Sequence, residues 1–251
     1  MQRTSLYIRD GLLAFVVCQA EGALLRMRQL LWVWMLLMAL AFVNDRCHCC
    51  LQEERSGLLE IKAWFSHAGG AASSTLQDWD KEDLNCCNWS RVECDNTTNR
   101  VIELYLSYVN YYALGENDLY LNASLFLPFK ELETLGLSGN QLVGGVKNQG
   151  FQGLASGLRK LKELHLTFNK LNDSILSSLS GFSTLESLDL SENCFTGTIG
   201  LRGLRKLEVL YLDSIDFKEN ILLESLGRLP SLKTLSASWS KFEGKHFGKG
   251  Q

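Results

Sequence analysis

Leucine residues recur at regular intervals through the second half of the chain. Three segments share the pattern L-x-x-L-x-L-x-x-N-x-L, and they read LETLGLSGNQL (132–142), LKELHLTFNKL (161–171) and LESLDLSENCF (185–195). Two weaker copies follow at 207–217 and 232–242. Successive copies lie 29, 24, 22 and 25 residues apart. Regular self-similarity of this period predicts a stack of similar structural units.

Each repeat predicts one short strand at its L-x-L segment. Successive side chains of a strand point to opposite faces, so both leucines turn inward and the residue between them faces outward. One repeat cannot bury its leucines alone, and neighbouring repeats must therefore stack into a solenoid. The period and the pattern are those of leucine-rich repeats, which run about 20–29 residues. We predict an α/β solenoid whose parallel strands line a concave face.

The asparagine of the pattern predicts an internal hydrogen-bond ladder. The side chains of Asn140, Asn169 and Asn193 are expected to turn inward, because an amide can donate to and accept from backbone groups at the same time. Ile215 and Ser240 hold the equivalent place in the two weaker copies. Isoleucine cannot form these hydrogen bonds and serine can form only part of them. We therefore expect the fourth and fifth coils to be less regular.

The N-terminal segment predicts entry into the secretory pathway. Arg26 and Arg28 precede an uncharged apolar run of 14 residues, Leu30 to Val43. A membrane span needs roughly 20 apolar residues, whereas a basic flank with a short apolar run is typical of a secretory signal. A buried apolar helix or an uncleaved anchor is the alternative interpretation. We expect residues 1–46 to be an extension and signal peptide, with translation starting at Met1 or Met27.

The cysteines near the N-terminus fall in two groups, CHCC at 47–50 and CCNWSRVEC at 86–94. In an oxidising compartment, clustered cysteines indicate disulfides. Zinc is the rival interpretation, because thiolates and His48 could supply four ligands. Adjacent cysteines of an extended chain point to opposite sides, however, and so do not readily share one ion. The residues favour disulfides over a metal site.

Residues 47–106 predict a cap for the first end of the solenoid. A solenoid leaves an apolar terminal coil that must be covered. The segment 51–70 predicts an amphipathic helix with Leu58, Ile61 and Phe65 on one face. The alternating segment RVIELYL at 100–106 predicts a strand. The cysteine groups flank this helix, so we expect a disulfide-bonded cap.

Three motifs resemble the leucine-rich repeat receptor-like proteins of plants, and the resemblance covers roughly residues 27–251. They are CLQEERSGLLEIKAWF in the cap, the C-C-x-W-x-x-V-x-C pattern of CCNWSRVEC, and FTGTI at 195–199. Gly200 departs from that family, which usually has proline there. The resemblance implies two disulfides, Cys50–Cys86 and Cys87–Cys94.

The resemblance also implies the organisation of the rest of the chain. Residues 107–251 would hold about five repeats, which stop at GKHFGKGQ without a closing cysteine pair or an apolar span. We therefore expect an incomplete solenoid. Cys47 and Cys49 have no clear partner, and Cys194 is expected to be a free thiol inside a repeat.

The outward residues at the strand midpoints predict the binding surface. A curved sheet with exposed variable positions is suited to binding, and aromatic side chains make good anchors for protein or peptide ligands. The candidate ligand-binding residues are Tyr105, His165, Asp189 and Tyr211. For His165, an exposed surface residue without a role is the simpler interpretation and a ligand contact the more specific one.

Composition and motifs exclude several classes of function. A net charge of −3, without a basic stripe, excludes a nucleic acid partner. The four histidines are scattered, and no phosphate loop, kinase motif, metal motif or cofactor motif is present. We therefore expect a non-enzymatic binding module without a cofactor.

Four N-x-S/T sequons suit a secreted surface, and they lie at Asn88, Asn96, Asn122 and Asn172. The family resemblance implies perception of a peptide or pathogen-derived ligand at the plasma membrane, in defence or development, through a co-receptor kinase. A protein or glycan ligand stays open. The alternative is a soluble inhibitor of a microbial wall-degrading enzyme, similar to the polygalacturonase-inhibiting proteins.

Overall fold

The computed structural model describes most of the chain after residue 50. The described residues are 32–35, 50–67, 72–110, 118–147, 150–196, 201–215, 217–218, 226–240 and 242–243. Contacts divide the chain into two compact units, residues 1–48 and 49–251. In the first unit only residues 32–35 are described, and they are helical with exposed side chains. Most of the predicted signal peptide, together with Cys47 and Cys49, lies outside the described residues. Within the described part of the chain, no helix has the length and apolarity to span a membrane.

The cap begins with helix α1, Gln52–His67, at the position that the apolar pattern predicts. Leu58, Ile61 and Phe65 are fully buried, because their spacing places them on one side of the helix. Glu54 is also fully buried in this helix, and its carboxylate accepts hydrogen bonds from Arg100 Nε at 2.8 Å and Val101 N at 3.2 Å. Helix α1 is thus joined to the first long strand by both apolar packing and a buried ion pair.

The rest of the cap is made of short elements. Helix α2 spans Ala72–Thr75, and a 3₁₀ turn, η1, spans Cys86–Asn88. Strand β1, Val92–Cys94, pairs antiparallel with β2, Val101–Tyr105. The rings of Trp79 and Trp89 stack in the interior with centroids 5.8 Å apart. Trp79 Nε1 also donates to Ser90 O at 2.8 Å, which ties the two segments of the cap together.

One seven-stranded sheet runs through the cap and the repeats. After β2, its strands are β4 (Thr134–Gly136), β6 (Glu163–His165), β7 (Ser187–Asp189), β8 (Val209–Tyr211) and β10 (Thr234–Ser236). From β2 onward, all neighbouring strands are parallel, and the order is β1-β2-β4-β6-β7-β8-β10. The register places equivalent repeat positions side by side, as the in-phase sequence pattern requires. The predicted solenoid with parallel strands is confirmed.

The inward leucines of the first four repeats form one continuous core. Both leucines of each L-x-L segment are fully buried in the repeats that contain Leu135, Leu164, Leu188 and Leu210. The surface of the seven-stranded sheet opposite these leucines is the concave face. It carries the residue between the two leucines, as the strand period predicts.

Short elements complete each coil behind the sheet. They are β3 (Leu119–Leu121), η2 (Ala123–Phe126), β5 (Leu142–Gly145), α3 (Phe151–Gly157), η3 (Asp173–Ile175), α4 (Leu176–Leu179), β9 (Phe217–Lys218) and β11 (Phe242–Glu243). Strands β3 and β5 pair with each other, as do β9 and β11, in two small parallel sheets. The leucine pattern predicts only the main strand of each coil. The two small sheets were therefore not foreseen.

The asparagine ladder joins neighbouring coils. The side chain of Asn169 donates to Leu137 O at 3.1 Å and to Leu166 O at 2.9 Å. Its Oδ1 accepts from Asn140 N at 3.1 Å and from Leu142 N at 3.0 Å. Asn140 and Asn193 make equivalent contacts. Each side chain thus satisfies backbone groups of two coils at once, which is why a buried polar residue stabilises this place.

The ladder changes at the fourth coil. Ile215 is fully buried in the asparagine place, yet β8 keeps the same register as its neighbours. Ser240 serves this coil from the next one, because its hydroxyl accepts from Ile215 N at 3.2 Å and donates to Leu212 O at 2.8 Å. The expectation of a less regular fourth coil was therefore wrong for its strand and core. The fifth coil does differ, since Leu235 in β10 is 41% exposed.

Candidate functional site on the concave face

The concave face presents one aligned column of strand-midpoint residues. In order across the sheet these are Tyr105, Gly136, His165, Asp189, Tyr211 and Ser236. The column includes all four predicted ligand-binding residues, so the structure brings them into one row. Tyr105 is 39% exposed and Tyr211 is 36% exposed, whereas His165 and Asp189 are half-buried. Aromatic groups in this row are thus accessible to a ligand.

Carboxylates surround the first tyrosine of the column. The hydroxyl of Tyr105 donates to the Glu103 carboxylate. This hydrogen bond, followed by partial burial and by the charges of Glu103, Glu163 and Glu93, raises the pKa of Tyr105 to about 12. Glu93 and Glu103 also lie directly opposite each other in the β1–β2 pair, an arrangement that destabilises a sheet. One cation, Arg91, also lies at this end, where Nη1 donates to Tyr105 O at 3.2 Å and to Ser107 O at 2.9 Å. The three glutamates outnumber it, so the N-terminal part of the concave face is acidic.

Gly136 is the buried member of the column, between Tyr105 and His165. A Cβ placed on Gly136 would lie 3.2 Å from Ser107 Oγ and 3.5 Å from Tyr105 Cδ1, so these neighbours already cover its place. On the other side of Gly136, His165 Nε2 lies 3.5 Å from Glu163 Oε2. The column therefore carries no side chain between the aromatic ring and the imidazole.

The second half of the column is more polar. Asp189 Oδ1 accepts from Ser191 N at 3.0 Å, and this hydrogen bond holds the carboxylate beside the end of its own strand. Asp213, just beyond Tyr211, accepts from Ser236 Oγ and from Ser238 N, both at 2.6 Å. These contacts fix the polar side chains in place around Tyr211. A ligand would meet a preorganised surface rather than mobile side chains.

Ion pairs run along one border of the concave face. Lys162 Nζ lies 2.6 Å from Glu133 Oε2, and Lys233 Nζ lies 2.7 Å from Glu208 Oε1. The hydrogen bond to Glu133 raises the pKa of Lys162 despite slight desolvation. These pairs are exposed and each contributes little to stability. Each pair joins one cation to one anion, so these four side chains add no net charge to the face.

Both disulfides that the resemblance implies are present in the cap. Cys50 bonds Cys86 across 36 positions, and Cys87 bonds Cys94 across 7 positions. The adjacent Cys86 and Cys87 therefore belong to different bonds. Cys194 carries an exposed free thiol. Among the described residues, no group of three or more His, Cys, Asp or Glu side chains is placed to hold a metal ion.

The four predicted glycosylation sequons lie away from the concave strands. Asn88 and Asn96 are exposed in the cap. Asn122 and Asn172 each cap a 3₁₀ turn, where Oδ1 accepts from Ser124 N at 3.1 Å and from Ser174 N at 3.0 Å. An N-linked glycan attaches to the amide nitrogen, so these caps are compatible with modification. Glycosylation at the four positions stays a prediction.

Two features near the face were missed from sequence. Asn110 is buried and extends the ladder toward the cap, since its N donates to Asn140 Oδ1 at 2.9 Å. It was overlooked because it lies one residue beyond the pattern position in its coil. Tyr108 and Phe168, at the end of the strands, are exposed and face each other with ring centroids 6.4 Å apart. Both residues follow an L-x-L segment and one polar residue, so the repeat alignment could have predicted that they occupy equivalent positions.

Comparison with known families defines the class of protein. Residues 51–95 match the leucine rich repeat N-terminal domain, and residues 159–217 match the leucine rich repeat. The first match covers the disulfide-bonded cap and the second covers three coils of the solenoid. The chain therefore belongs to the leucine-rich repeat proteins that carry the plant-type N-terminal cap.

Within that class, the similar proteins are plant receptors. Receptor-like protein 9a of Arabidopsis thaliana is 35% identical over 188 residues, which cover 74% of this chain and 18% of the relative. Cuscuta receptor 1 of Solanum lycopersicum is 34% identical over 217 residues, which cover 79% of this chain and 19% of the relative. The chain spans about a fifth of the length of these relatives.

A solved structure agrees with this placement. It is the ectodomain of the Arabidopsis thaliana membrane receptor kinase GASSHO1/SCHENGEN3, solved in complex with CASPARIAN STRIP INTEGRITY FACTOR 2. The identity is 30% and the TM-score 0.54, over 73% of this chain and 21% of that chain. The predicted resemblance to plant leucine-rich repeat receptor-like proteins is confirmed.

Proposed function

We propose that this chain is the N-terminal part of an extracellular recognition module of a plant receptor-like protein. It binds a peptide or protein segment laid across the strands of the concave face. The observation that carries the proposal is the aligned column with two exposed tyrosines, flanked by fixed polar groups and free of sequons. The full-length receptor would present this face outside the plasma membrane and signal in defence or development through a co-receptor kinase.

The acidic surroundings of Tyr105 narrow the chemistry of the ligand. Glu93, Glu103 and Glu163 all act on the hydroxyl of Tyr105, so a ligand segment with lysine or arginine is favoured there by charge complementarity. The exposed Tyr105 ring gives the aliphatic part of such a side chain an apolar surface to pack on. A strongly acidic ligand would be repelled at this end of the face.

The proposal is tested by selecting linear peptides from a random display library on the immobilised secreted chain. Binding of the selected peptides is then measured for Tyr105→Ala and Tyr211→Ala. We expect each substitution to weaken binding at least about tenfold, in line with aromatic hot spots, without a marked change in melting temperature. His165→Ala and Asp189→Ala are expected to weaken binding less.

Tyr120→Ala is the matched control, because Tyr120 is an exposed tyrosine in β3, outside the seven-stranded sheet. It should leave affinity unchanged. Equal losses at Tyr120 and Tyr105 would refute concave-face binding. Tight capture of a wall-degrading enzyme by the isolated chain, with no peptide selected, would favour the soluble-inhibitor alternative.

A further inference from the structure

Six coils share a left-handed backbone residue at the end of the strand segment. These residues, here called the left-handed row, are Tyr108 (φ 60°), Gly139 (φ 68°), Phe168 (φ 57°), Glu192 (φ 51°), Ser214 (φ 56°) and Trp239 (φ 61°). Positive φ suits glycine or asparagine and is unusual for bulky side chains. Half of the row is nevertheless aromatic.

The stacking of coils imposes this conformation regardless of residue type. The backbone N–H of each of the first five row members donates to a carbonyl of the next coil, as in Tyr108 N to Ser138 O at 2.8 Å, Gly139 N to Thr167 O at 3.0 Å and Phe168 N to Ser191 O at 3.1 Å. Glycine at these positions has no steric penalty, whereas an aromatic side chain does. The exposed aromatics therefore lower stability relative to residues that the same backbone would accept.

Two of the aromatics form a pair over the glycine between them. Tyr108 is 48% exposed and Phe168 is 44% exposed, and their rings are tilted by 42° with centroids 6.4 Å apart. A Cβ on Gly139 would overlap the Tyr108 ring. The bare glycine thus allows the Tyr108 ring to cross one coil and approach Phe168. Strained residues kept at an exposed surface are commonly found where a ligand binds.

A groove of about 520 Å³ adjoins this pair. Its lining residues are Gly139, Gln141, Phe168, Asn169, Lys170 and Glu192. The volume falls within the roughly 300–1,000 Å³ of small-ligand sites. Phe168 is the aromatic residue of this lining, and the polar residues add two amides and one charge of each sign. Lys170 Nζ also lies 3.6 Å from Asp118 Oδ1, which partly balances its charge.

This combination matches the chemistry of a sugar. A pyranose ring has an apolar C–H face that packs on an aromatic ring, and hydroxyls around its edge that both donate and accept hydrogen bonds. A charged peptide would be repelled by the one of Lys170 and Glu192 that carries the same sign of charge. An apolar peptide would remove water from Lys170 and Glu192 without supplying hydrogen bonds to them, which is unfavourable.

We propose that Tyr108, Phe168 and the adjoining groove bind a neutral oligosaccharide. The site lies beside the tyrosine column of the concave face and is distinct from the peptide surface proposed above. The sugar could be a free wall oligosaccharide or the glycan of a partner glycoprotein. Both present the same neutral pyranose rings to the groove.

The test is a calorimetric titration of the secreted full chain with cellohexaose and, separately, with a released high-mannose N-glycan. Binding of either sugar supports the proposal, and the one that binds identifies the source. Phe168→Asn and Tyr108→Asn should each weaken binding at least tenfold. Because asparagine tolerates the left-handed region, the same variants should raise the melting temperature by about 2 °C.

Ser214→Asn is the matched control, because Ser214 is in the left-handed row but outside the groove. It should leave sugar affinity unchanged. The proposal is overturned if wild-type protein binds neither sugar, or if Phe168→Asn keeps full affinity. A fall in melting temperature for Phe168→Asn would also overturn it, since the ring would then serve packing. Peptides selected from the display library do not support the sugar site. Their dependence on Tyr105 tests only the peptide surface on the concave face.

Discussion

The first three repeats and the last two solve the same hydrogen-bond problem differently. In the coils of Asn140, Asn169 and Asn193, one amide side chain serves backbone groups of two neighbouring coils. In the fourth coil, Ile215 fills the same place with an apolar side chain, and Ser240 supplies one donor and one acceptor from the next coil. The strand register is nevertheless the same on both sides.

The difference separates what sets the shape of the solenoid from what makes it stable. The leucine period and backbone pairing are enough to maintain the register. The asparagine ladder adds polar satisfaction in the interior, where an unpaired donor or acceptor costs about 1–3 kcal/mol. We therefore expect the cap and the first three repeats to be the stable part of the molecule.

The largest change in the free energy of unfolding should come from removing the cap disulfides. Replacing Cys50 and Cys86 with serine should lower the free energy of unfolding by about 4 kcal/mol, because a long loop becomes free in the unfolded chain. Replacing Cys87 and Cys94 should cost about 2.5 kcal/mol. Urea unfolding measures both. Cys194→Ser, at an exposed free thiol, is the control, and a comparable loss there would contradict the assignment of stability to the cap.

A pair of substitutions tests the ladder itself. Asn169→Ile should lower the free energy of unfolding by about 3 kcal/mol, because it leaves the buried N–H groups of Asn140 and Leu142 without their acceptor. Ile215→Val should lower it by only about 1 kcal/mol, because it removes one buried methylene and leaves the hydrogen bonds of Ser240 in place. Chemical denaturation of the two variants gives the comparison. Similar losses in both would show that the two halves of the solenoid do not differ.

Hydrogen exchange should reveal a gradient along the solenoid. We expect strong protection in the cap and the first repeats and weak protection in the fifth coil, which contains β10. Amides of β10, where Leu235 is 41% exposed, should exchange at least about 100-fold faster than those of β6, because low-stability regions open locally. Mass spectrometry of peptides from each strand measures this. Uniform protection through β10 would show that the first and last repeats are equally stable.

The smallest expected effect concerns the buried Glu54 of the cap. Burial raises its pKa, against the lowering effect of the hydrogen bond from Arg100. The folded state thus favours the protonated acid, so the contribution of Glu54 to stability is greatest below the pKa of the unfolded chain. It declines as pH rises through the folded-state pKa.

Glu54→Gln should therefore become more stable relative to wild type as pH rises from about 4 to about 7, a window near ordinary carboxyl values. Thermal unfolding across that range is the measurement. Glu53→Gln, one residue earlier and exposed, should show no such trend. A gain for wild type with rising pH would mean that the ion pair with Arg100 outweighs burial.

The repeat arithmetic was sufficient to predict the solenoid, the inward leucines and the row of strand midpoints. Those features follow from a period of two along each strand and from equal positions in successive repeats. The Glu54–Arg100 pair was not predictable, because nothing in a helical pattern tells which acid will meet a cation 46 positions away. The left-handed row was also missed, because backbone φ leaves no mark in a hydrophobic pattern. Within the row, only Gly139 is of a residue type that favours positive φ, and it was the one indication in the sequence.

The paired cysteines at 86 and 87 have a consequence for proteolysis in the space outside the cell. Residues 80–84 are exposed between helix α2 and the turn η1, and they offer a protease an accessible segment. A cut there leaves both fragments joined through Cys50–Cys86, and a cut between residues 88 and 93 leaves them joined through Cys87–Cys94. A nicked cap would keep its helix covalently attached to the first coil. The apolar end of the solenoid would then remain covered after cleavage.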